Sequence, residues 1–248
     1  MSNGQLTIEA HDASYKINDP GGIIGNCLNA GSPYERKALE RIYRAGLTGT
    51  AVDAGAGIGN HTLWLAAVCG LRVIAVEPLD HVRLAENVAL NPDLDIEVWP
   101  WALGDRLYTG HVTGAPAHVI GDSFPEDGVR IRRLDDADVE NVALLKIDVE
   151  GMEPEVLRGG LETIRRDRPL IFAEAIDSAA HEAVAAILEP PGYQHVKTYG
   201  ATPLLGGVDP GVGEDDLDLD VGVHRLGAEE VGVDARDDLR DREGADIA

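Results

Sequence analysis

Val52-Asp53-Ala54-Gly55-Ala56-Gly57-Ile58-Gly59-Asn60-His61-Thr62 decides how this chain is read, together with Ile74-Ala75-Val76-Glu77-Pro78 one helix length further on. The apolar stretch Thr50–Ala54 predicts a buried strand running into a turn with glycines at alternate positions, Gly55, Gly57 and Gly59. Residues 60–69 are amphipathic and predict a helix, and a second apolar strand follows, closing on Glu77. Glycine lets backbone approach a ligand closely and takes dihedrals denied to other residues. An acid closing the second strand is placed to accept hydrogen bonds from both hydroxyls of a ribose. The unit therefore predicts a site for an adenosine-bearing cofactor, against the plainer alternative of a glycine turn kept for packing.

The spacing discriminates between cofactors. Dinucleotide sites use G-x-G-x-x-G to bring a pyrophosphate to a helix N-terminus. Here the pattern is G-x-G-x-G, with Asp53 two residues before the first glycine. A carboxylate there is poorly placed beside a pyrophosphate but suits a ligand bearing an ammonium group. The pattern points to S-adenosylmethionine (S-adenosyl-L-methionine).

The bulk properties bound the rest. A chain of 248 residues, 44% of them hydrophobic, is long enough for one well-buried α/β domain. No apolar run has the length of a membrane span, and the first ten residues lack a signal-peptide pattern. Cys27 and Cys69 form no close-spaced pair, so neither a zinc site nor a disulfide framework is expected, and a cytoplasmic location is. The formal net charge is −23, and the lysines are Lys16, Lys37, Lys146 and Lys197. Such a field repels phosphate backbones and argues against a nucleic-acid substrate. It also predicts a halophilic protein from a salt-rich cytoplasm, against the plainer reading of an ordinary acidic protein with an acidic tail.

Residues 1–33 are rich in Gly, Asn and Pro and predict an irregular segment, with a short strand at most around Tyr15–Ile17. A helix is expected over Tyr34–Ala45, capped by Ser32 and begun at Pro33. Further helices are expected over 80–90, 153–164 and 178–188, and strands over Asp95–Trp99, Tyr108–Thr113, Val119–Ile120, Val129–Arg132, Val142–Val149 and Leu170–Ala173. Gln194–Thr198 and Leu217–Leu226 read as a closing hairpin, and the charged tail from Gly227 (227–248) as disordered or loosely helical. Alternating strands and helices imply an α/β domain over 34–226, built on a mostly parallel sheet with helices on both faces.

Several of these segments together resemble the FkbM family of S-adenosylmethionine-dependent methyltransferases. The residues that carry the resemblance begin with Tyr34-Glu35, Val52 to Gly59 and Val76-Glu77-Pro78, followed by Glu86 to Asn91, Ala102 to Asp105 and Leu134 to Asp136. Leu145-Lys146-Ile147-Asp148-Val149-Glu150-Gly151-Met152-Glu153 is the most specific block, followed by Val156 to Gly160 and Arg168 to Glu174. The match runs in family order over about residues 34–176. It implies a Rossmann-like class I methyltransferase fold with a seven-stranded sheet, and O-methylation of a hydroxyl on a sugar, glycoconjugate or natural product. Two positions depart from the family pattern: Ala56, where Asn is usual, and His61, where an aromatic residue is usual. His61 stands where it could alter the acceptor side of the pocket.

Methyl transfer from a sulfonium is an in-line displacement with no oxyanion to stabilise, so holding the acceptor oxygen in line supplies most of the acceleration. A positioned base adds about 10²–10⁴-fold for a hydroxyl acceptor. Ligands of open α/β sheets sit beyond the carboxyl ends of the strands. The residues expected there are Asp53, Glu77, Trp101 with Ala102, Asp148 with Glu150, and Glu174. Gly55, Gly57 and Gly59 are assigned to backbone approach, Asp53 to the cofactor ammonium, Glu77 to the ribose, and Trp101 or Ala102 to the adenine border, with plain core packing an equal reading of Trp101. Asp148 or Glu150 is the candidate base, and Lys146, on the same strand face as Asp148, orients the acceptor or pairs with a carboxylate. The plain alternative for these three is a structural ion-pair network. No third ligand is fixed in sequence, so no metal is expected.

Outside this set, His111 and His118 could reach the acceptor but read more plainly as surface residues, and His181-Glu182 lacks the second histidine of a zinc motif. Arg130, Arg132 and Arg133 could grip an anionic substrate but read more plainly as an arginine-studded edge strand. The competing readings are a nicotinamide-dependent oxidoreductase, disfavoured by the glycine spacing, and a non-catalytic binding module. Oligomeric state is not legible in the sequence.

Overall fold

A computed structural model describes residues 4–113, 118–120, 128–199 and 202–206. All lie in one compact unit, Met1–Asp209; the second unit, Pro210–Ala248, is outside the described residues. The chain opens with β1 (Gln5–Ala10), β2 (Ala13–Asn18), α1 (Gly22–Asn29) and α2 (Arg36–Arg44). Alternation of β3 (Thr50–Ala54), α3 (Asn60–Ala67), β4 (Arg72–Val76), α4 (His81–Ala89) and β5 (Ile96–Trp99) follows. An excursion through β6 (Ala102–Leu103), β7 (Tyr108–Thr113), β8 (His118–Ile120) and β9 (Val129–Arg132) leads to β10 (Val142–Ile147). The chain then runs through α5 (Glu153–Gly159), α6 (Leu161–Asp167), β11 (Leu170–Ala173), α7 (Ser178–Leu188), β12 (Gln194–Tyr199) and β13 (Thr202–Gly206).

The central sheet has seven strands in the order β12-β13-β11-β10-β3-β4-β5. Strands β11, β10, β3, β4 and β5 are parallel, and β13 runs antiparallel to both β11 and β12. Period-two alternation divides their side chains between two buried faces. Val52, Ile74, Leu145 and Ile171 pack with Val156, Leu157, Ile164 and Val184 of α5, α6 and α7. Ala51, Val73, Leu144 and Phe172 pack with Ala38 and Ile42 of α2 and with Leu65 and Ala66 of α3. Both faces are therefore covered, as a parallel sheet requires. A smaller sheet, β6-β9-β7-β8, lies beyond β5 in sequence.

Three expectations are corrected. Residues 4–33 are not irregular: Ile8, Ala10, Tyr15 and Ile17 alternate at period two along an antiparallel β1–β2 hairpin and pack on Leu63 and Trp64 of α3. Ser32 does not cap α2; its Oγ donates to the Pro33 carbonyl, and Glu35 precedes the helix in a left-handed conformation. The single helix expected over 153–164 is two, α5 and α6, meeting at Gly160. Gly159 lies so close to the Gly104 carbonyl that a Cβ would stand 1.8 Å from its oxygen, which pins the end of α5 against β6. β12 pairs antiparallel with β13 (Thr202–Gly206), while the expected hairpin strand Leu217–Leu226 lies outside the described residues, as does the tail from Gly227.

Candidate active site

The carboxyl ends of β3, β4, β10 and β11, with the segment before α2, enclose a cavity of about 410 Å³. The turn after β3 forms one wall. Gly55 has φ 80°, and a Cβ on it would lie 1.7 Å from the Asp148 carbonyl oxygen, so two strand ends pass with backbone against backbone. Gly57 is left-handed with φ 53°, and a Cβ there would meet nothing within 4 Å. Its N–H donates to Glu77 Oε2 at 2.9 Å, while Glu77 Oε1 accepts from the Leu79 and Asp80 N–H groups at 2.8 and 3.0 Å. Glu77 is 7% exposed and lines the cavity, as does Ala102.

Three expected ligand residues are placed elsewhere. Gly59 does not line the cavity; its Cβ position is 2.9 Å from Leu84 Cδ1, so the residue allows α3 to pack against α4. Trp101 is also off the lining, stacked on Trp99 at 5.1 Å with the Arg132 guanidinium 4.9 Å from its ring centre. Asp53 stands behind the cavity, fully buried, accepting from Thr62 Oγ1 at 2.7 Å and ion-paired to Lys146 Nζ at 3.2 Å. The register explains this: Lys146 and Asp53 are partners on β10 and β3 and share the face covered by α3.

Lys146 reaches past Asp53 to Asp148 Oδ2 at 3.3 Å. Burial on its own would lower the ammonium's pKa, but Asp53 and Asp148 outweigh it and the net shift is upward. Lys146 therefore stays charged and does not serve as a base. Asp148 is opposed by burial, yet Lys146, a hydrogen bond with Glu174, and His61 hold its pKa below the usual carboxylate value. Glu174 goes the other way. Burial, then Asp148, Glu150 and Glu153, raise it to about 8.

Around these groups the wall is completed by loops under constraint. Glu150 lines the cavity at φ 57°, a left-handed value unusual for a side chain of its size. Glu153, 4% exposed, holds that loop by accepting from the Val149 and Gly151 N–H groups, both at 3.1 Å. On the opposite side, the Asn60 side chain both donates to and accepts from the Tyr34 backbone at 3.2 Å, fixing Tyr34 and Glu35 over the cavity. His61 Nε2 lies 3.4 Å from Glu35 Oε2. Burial, with Lys146 beside it, lowers the imidazole to about 4, so it is neutral at neutral pH. Strained backbone at Glu35 and Glu150, both at the cavity, is the pattern expected where structure is held for function.

The structure thus brings Gly55, Gly57, His61, Glu77, Ala102, Lys146, Asp148, Glu150 and Glu174 to one cavity and adds Tyr34 and Glu35. Glu174 was legible as a strand-end acid: it follows β11 as Asp148 follows β10, and its N–H donates to the Ile147 carbonyl at 2.8 Å. Arg132 and Arg133 are engaged away from the cavity, with Trp101 and with Asp135 and Asp136 respectively. The His181 ring stacks edge-on with His195 at 4.8 Å, and the side chains of His111 and His118 lie outside the described residues. Among the described residues, no group of three or more His, Cys, Asp or Glu is placed to hold a metal ion. No described helix is long and apolar enough to cross a membrane.

Comparison with known proteins adds the following. The family described as "Methyltransferase FkbM domain" matches residues 53–195. Among solved structures, methyltransferase FkbM from Methylobacillus flagellatus KT is similar at 22% identity and TM-score 0.49, over 69% of this chain and 46% of that one. This chain thus spans about half the length of that protein. The ribosomal protein L11 methylase of Lactobacillus delbrueckii subsp. bulgaricus is similar at 15% identity and TM-score 0.45, over 81% and 96% of the two chains. Precorrin-6y C5,15-methyltransferase of Geobacter metallireducens GS-15 gives 15% identity and TM-score 0.42, over 69% and 85%. No curated protein matches. With a family match covering more than half of its residues, the chain belongs to the FkbM methyltransferase domain family.

Proposed function

We propose that this chain is a methyltransferase that uses S-adenosylmethionine and transfers its methyl group to a hydroxyl of a sugar, glycoconjugate or natural product. The observation that carries the reading is Gly57. Its left-handed backbone bonds Glu77, a Cβ on it would meet nothing within 4 Å, and it lines a cavity of small-molecule size. Gly55 and Gly57 supply close backbone approach, Glu77 the ribose contact, and Ala102 the border of the adenine. Once bound, the cofactor supplies an electrophilic methyl carbon on sulfur.

The chain's own residues do the rest. Lys146 and Asp148 form the polar floor at the acceptor end, positioning the hydroxyl, and Asp53 serves by holding Lys146 in place rather than by touching ligand. Glu150 closes the acceptor side on a constrained loop. Tyr34, half-exposed at 39%, and Leu79, at 62%, stand at the mouth and suit the apolar face of a sugar ring or aglycone. The acidic composition supports a cytoplasm rich in salt as the working environment.

Isothermal titration against S-adenosylmethionine and NAD, in dilute and in concentrated salt, tests the cofactor. Binding of the first alone is expected, and binding of NAD alone would overturn the reading. Incubation with methyl-deuterated cofactor and a panel of neutral glycosides, read by mass spectrometry, tests the acceptor. A label found on nitrogen or carbon instead of oxygen would refute O-methylation.

A further inference from the structure

Asp148 and Glu174 both emerge from parallel, adjacent strands one residue beyond the register pair Ile147 and Ala173, on the face that carries Lys146. Both line the cavity from neighbouring strand ends, and each carboxyl acts on the charge of the other. Two carboxylates so close cannot both be ionised cheaply, and the environment decides which keeps the proton. Asp148 has the Lys146 ammonium at 3.3 Å. The charged groups acting on Glu174 are Asp148 from the end of β10 and Glu150 and Glu153 from the loop and helix beyond, all acids. Across the cavity, the Tyr34 phenol feels Glu35, Asp148 and Glu174, and neutral His61 stands beside Asp148 and Lys146. The lone cation of this cluster is therefore spent on Asp53 and Asp148.

We propose that Glu174, rather than Asp148, accepts the proton of the acceptor hydroxyl, with Asp148 as the positioning residue that makes it basic. This rests on the hydroxyl-acceptor reading above. The acceptor oxygen forms the new bond to the methyl carbon, the C–S bonding pair stays with sulfur, and the proton moves from that oxygen to the Glu174 carboxylate. Glu174 is only partly buried, so it returns the proton to water between turnovers. A carboxyl lifted to about 8 matches a base to its working pH far better than a carboxylate held down by a lysine.

Two readouts test this. The first is infrared titration of the ligand-free protein from about pH 6 to about pH 10. It should show a protonated-carboxyl stretch that fades with a midpoint near 8 and is missing in Glu174→Gln. Asp148→Asn should keep the band and move its midpoint down by about one unit or more. A band that survives Glu174→Gln, or that Asp148→Asn abolishes, overturns the assignment. Where Glu174→Gln does not fold, the Asp148→Asn titration decides alone. The second readout is turnover of a neutral glycoside with saturating S-adenosylmethionine. Glu174→Gln should lose about 10²–10⁴-fold in kcat with little change in the acceptor KM, and Glu174→Asp should restore part of it. A kcat within a few-fold of wild type refutes the role. Absence of wild-type turnover on every glycoside would count against the hydroxyl reading, while the infrared titration would still locate the proton.

Discussion

Lys146 and Asp53 are register partners on adjacent parallel strands, and their side chains meet at 3.2 Å with both residues buried. The pair neutralises two charges that the interior could not otherwise hold. It also aims the ammonium at Asp148, on the cavity wall. Lys146→Met would leave Asp53 charged with Thr62 as its remaining hydrogen-bond donor. Removing one partner of a buried pair costs about 3–5 kcal/mol. Urea denaturation of Lys146→Met should show that loss, and adding Asp53→Asn should recover most of it. A double variant no more stable than Lys146→Met would mean that the pair is not the cause.

Gly55 and Gly57 sit two residues apart in one turn and are expected to fail differently. Alanine at Gly55 drives a Cβ into the Asp148 carbonyl, backbone against backbone, at φ 80°. The overpacking and the left-handed strain together cost about 3 kcal/mol or more, so the melting temperature should fall sharply. Alanine at Gly57 meets nothing and pays only for its dihedral, about 1–2 kcal/mol, but it adds a methyl group at the cavity lining. Calorimetry on Gly57→Ala should find a folded protein with S-adenosylmethionine affinity reduced about tenfold or more, a loss of about 1.4 kcal/mol. Unaltered affinity would remove the turn from the cofactor site.

These contrasts mark how far the sequence could be read. The strands Thr50–Ala54 and Arg72–Val76 are legible because burial on both faces leaves Ala51-Val52 and Val73–Val76 as apolar runs without alternation, and Glu77 because it closes the second of them. The pairing of Asp53 with Lys146 is not fixed by the sequence, since the two stand 93 positions apart and only the β3–β10 register brings them together. Gly59 and Gly55 look alike in the motif and differ only in what stands opposite, Leu84 for one and the Asp148 backbone for the other. The close packing of Gly159, at the end of α5, on the Gly104 backbone likewise involves a residue far away in sequence. The hairpin before residue 20 could have been found: its period-two pattern is present, but the surrounding Gly, Asn and Pro dominated the reading.

Glu174 and His61 give stability opposite dependences on pH. Glu174 rises from 4.5 to about 8 on folding, so its contribution is complete below 4.5 and is lost as pH rises through 8. His61 falls from 6.5 to about 4, so its contribution is complete above 6.5 and is lost as pH falls through 4. Between 4.5 and 6.5 the two slopes cancel, and from 6.5 to 8 Glu174 acts without His61. Relative to wild type, Glu174→Gln should therefore gain melting temperature on the alkaline side, by a few degrees. His61→Gln should uncover a decline between 4.5 and 6.5. Melts by circular dichroism at fixed ionic strength measure both. A wild-type and Glu174→Gln difference that is constant across pH would show that Glu174 does not titrate in that window.

The net charge of −23 is spread over a surface on which isolated ion pairs such as Arg72–Glu97, about half exposed on each side, contribute little. Repulsion among the remaining acids opposes the compact state and is screened over about 10 Å at 0.1 M salt but over about 3 Å at 1 M. The melting temperature should therefore climb as sodium chloride is raised from about 0.1 M to about 1 M and flatten beyond, because little repulsion is left to screen. The buried Lys146–Asp53 pair lies out of reach of this screening, so the salt gain in Lys146→Met should match that of wild type. A rise that continues linearly past 1 M and is larger for sulfate would identify solvent exclusion at the surface as its source. Equal melts in dilute and concentrated chloride would mean that the acidic surface imposes no cost, and the expectation of a salt-adapted protein would fall with it.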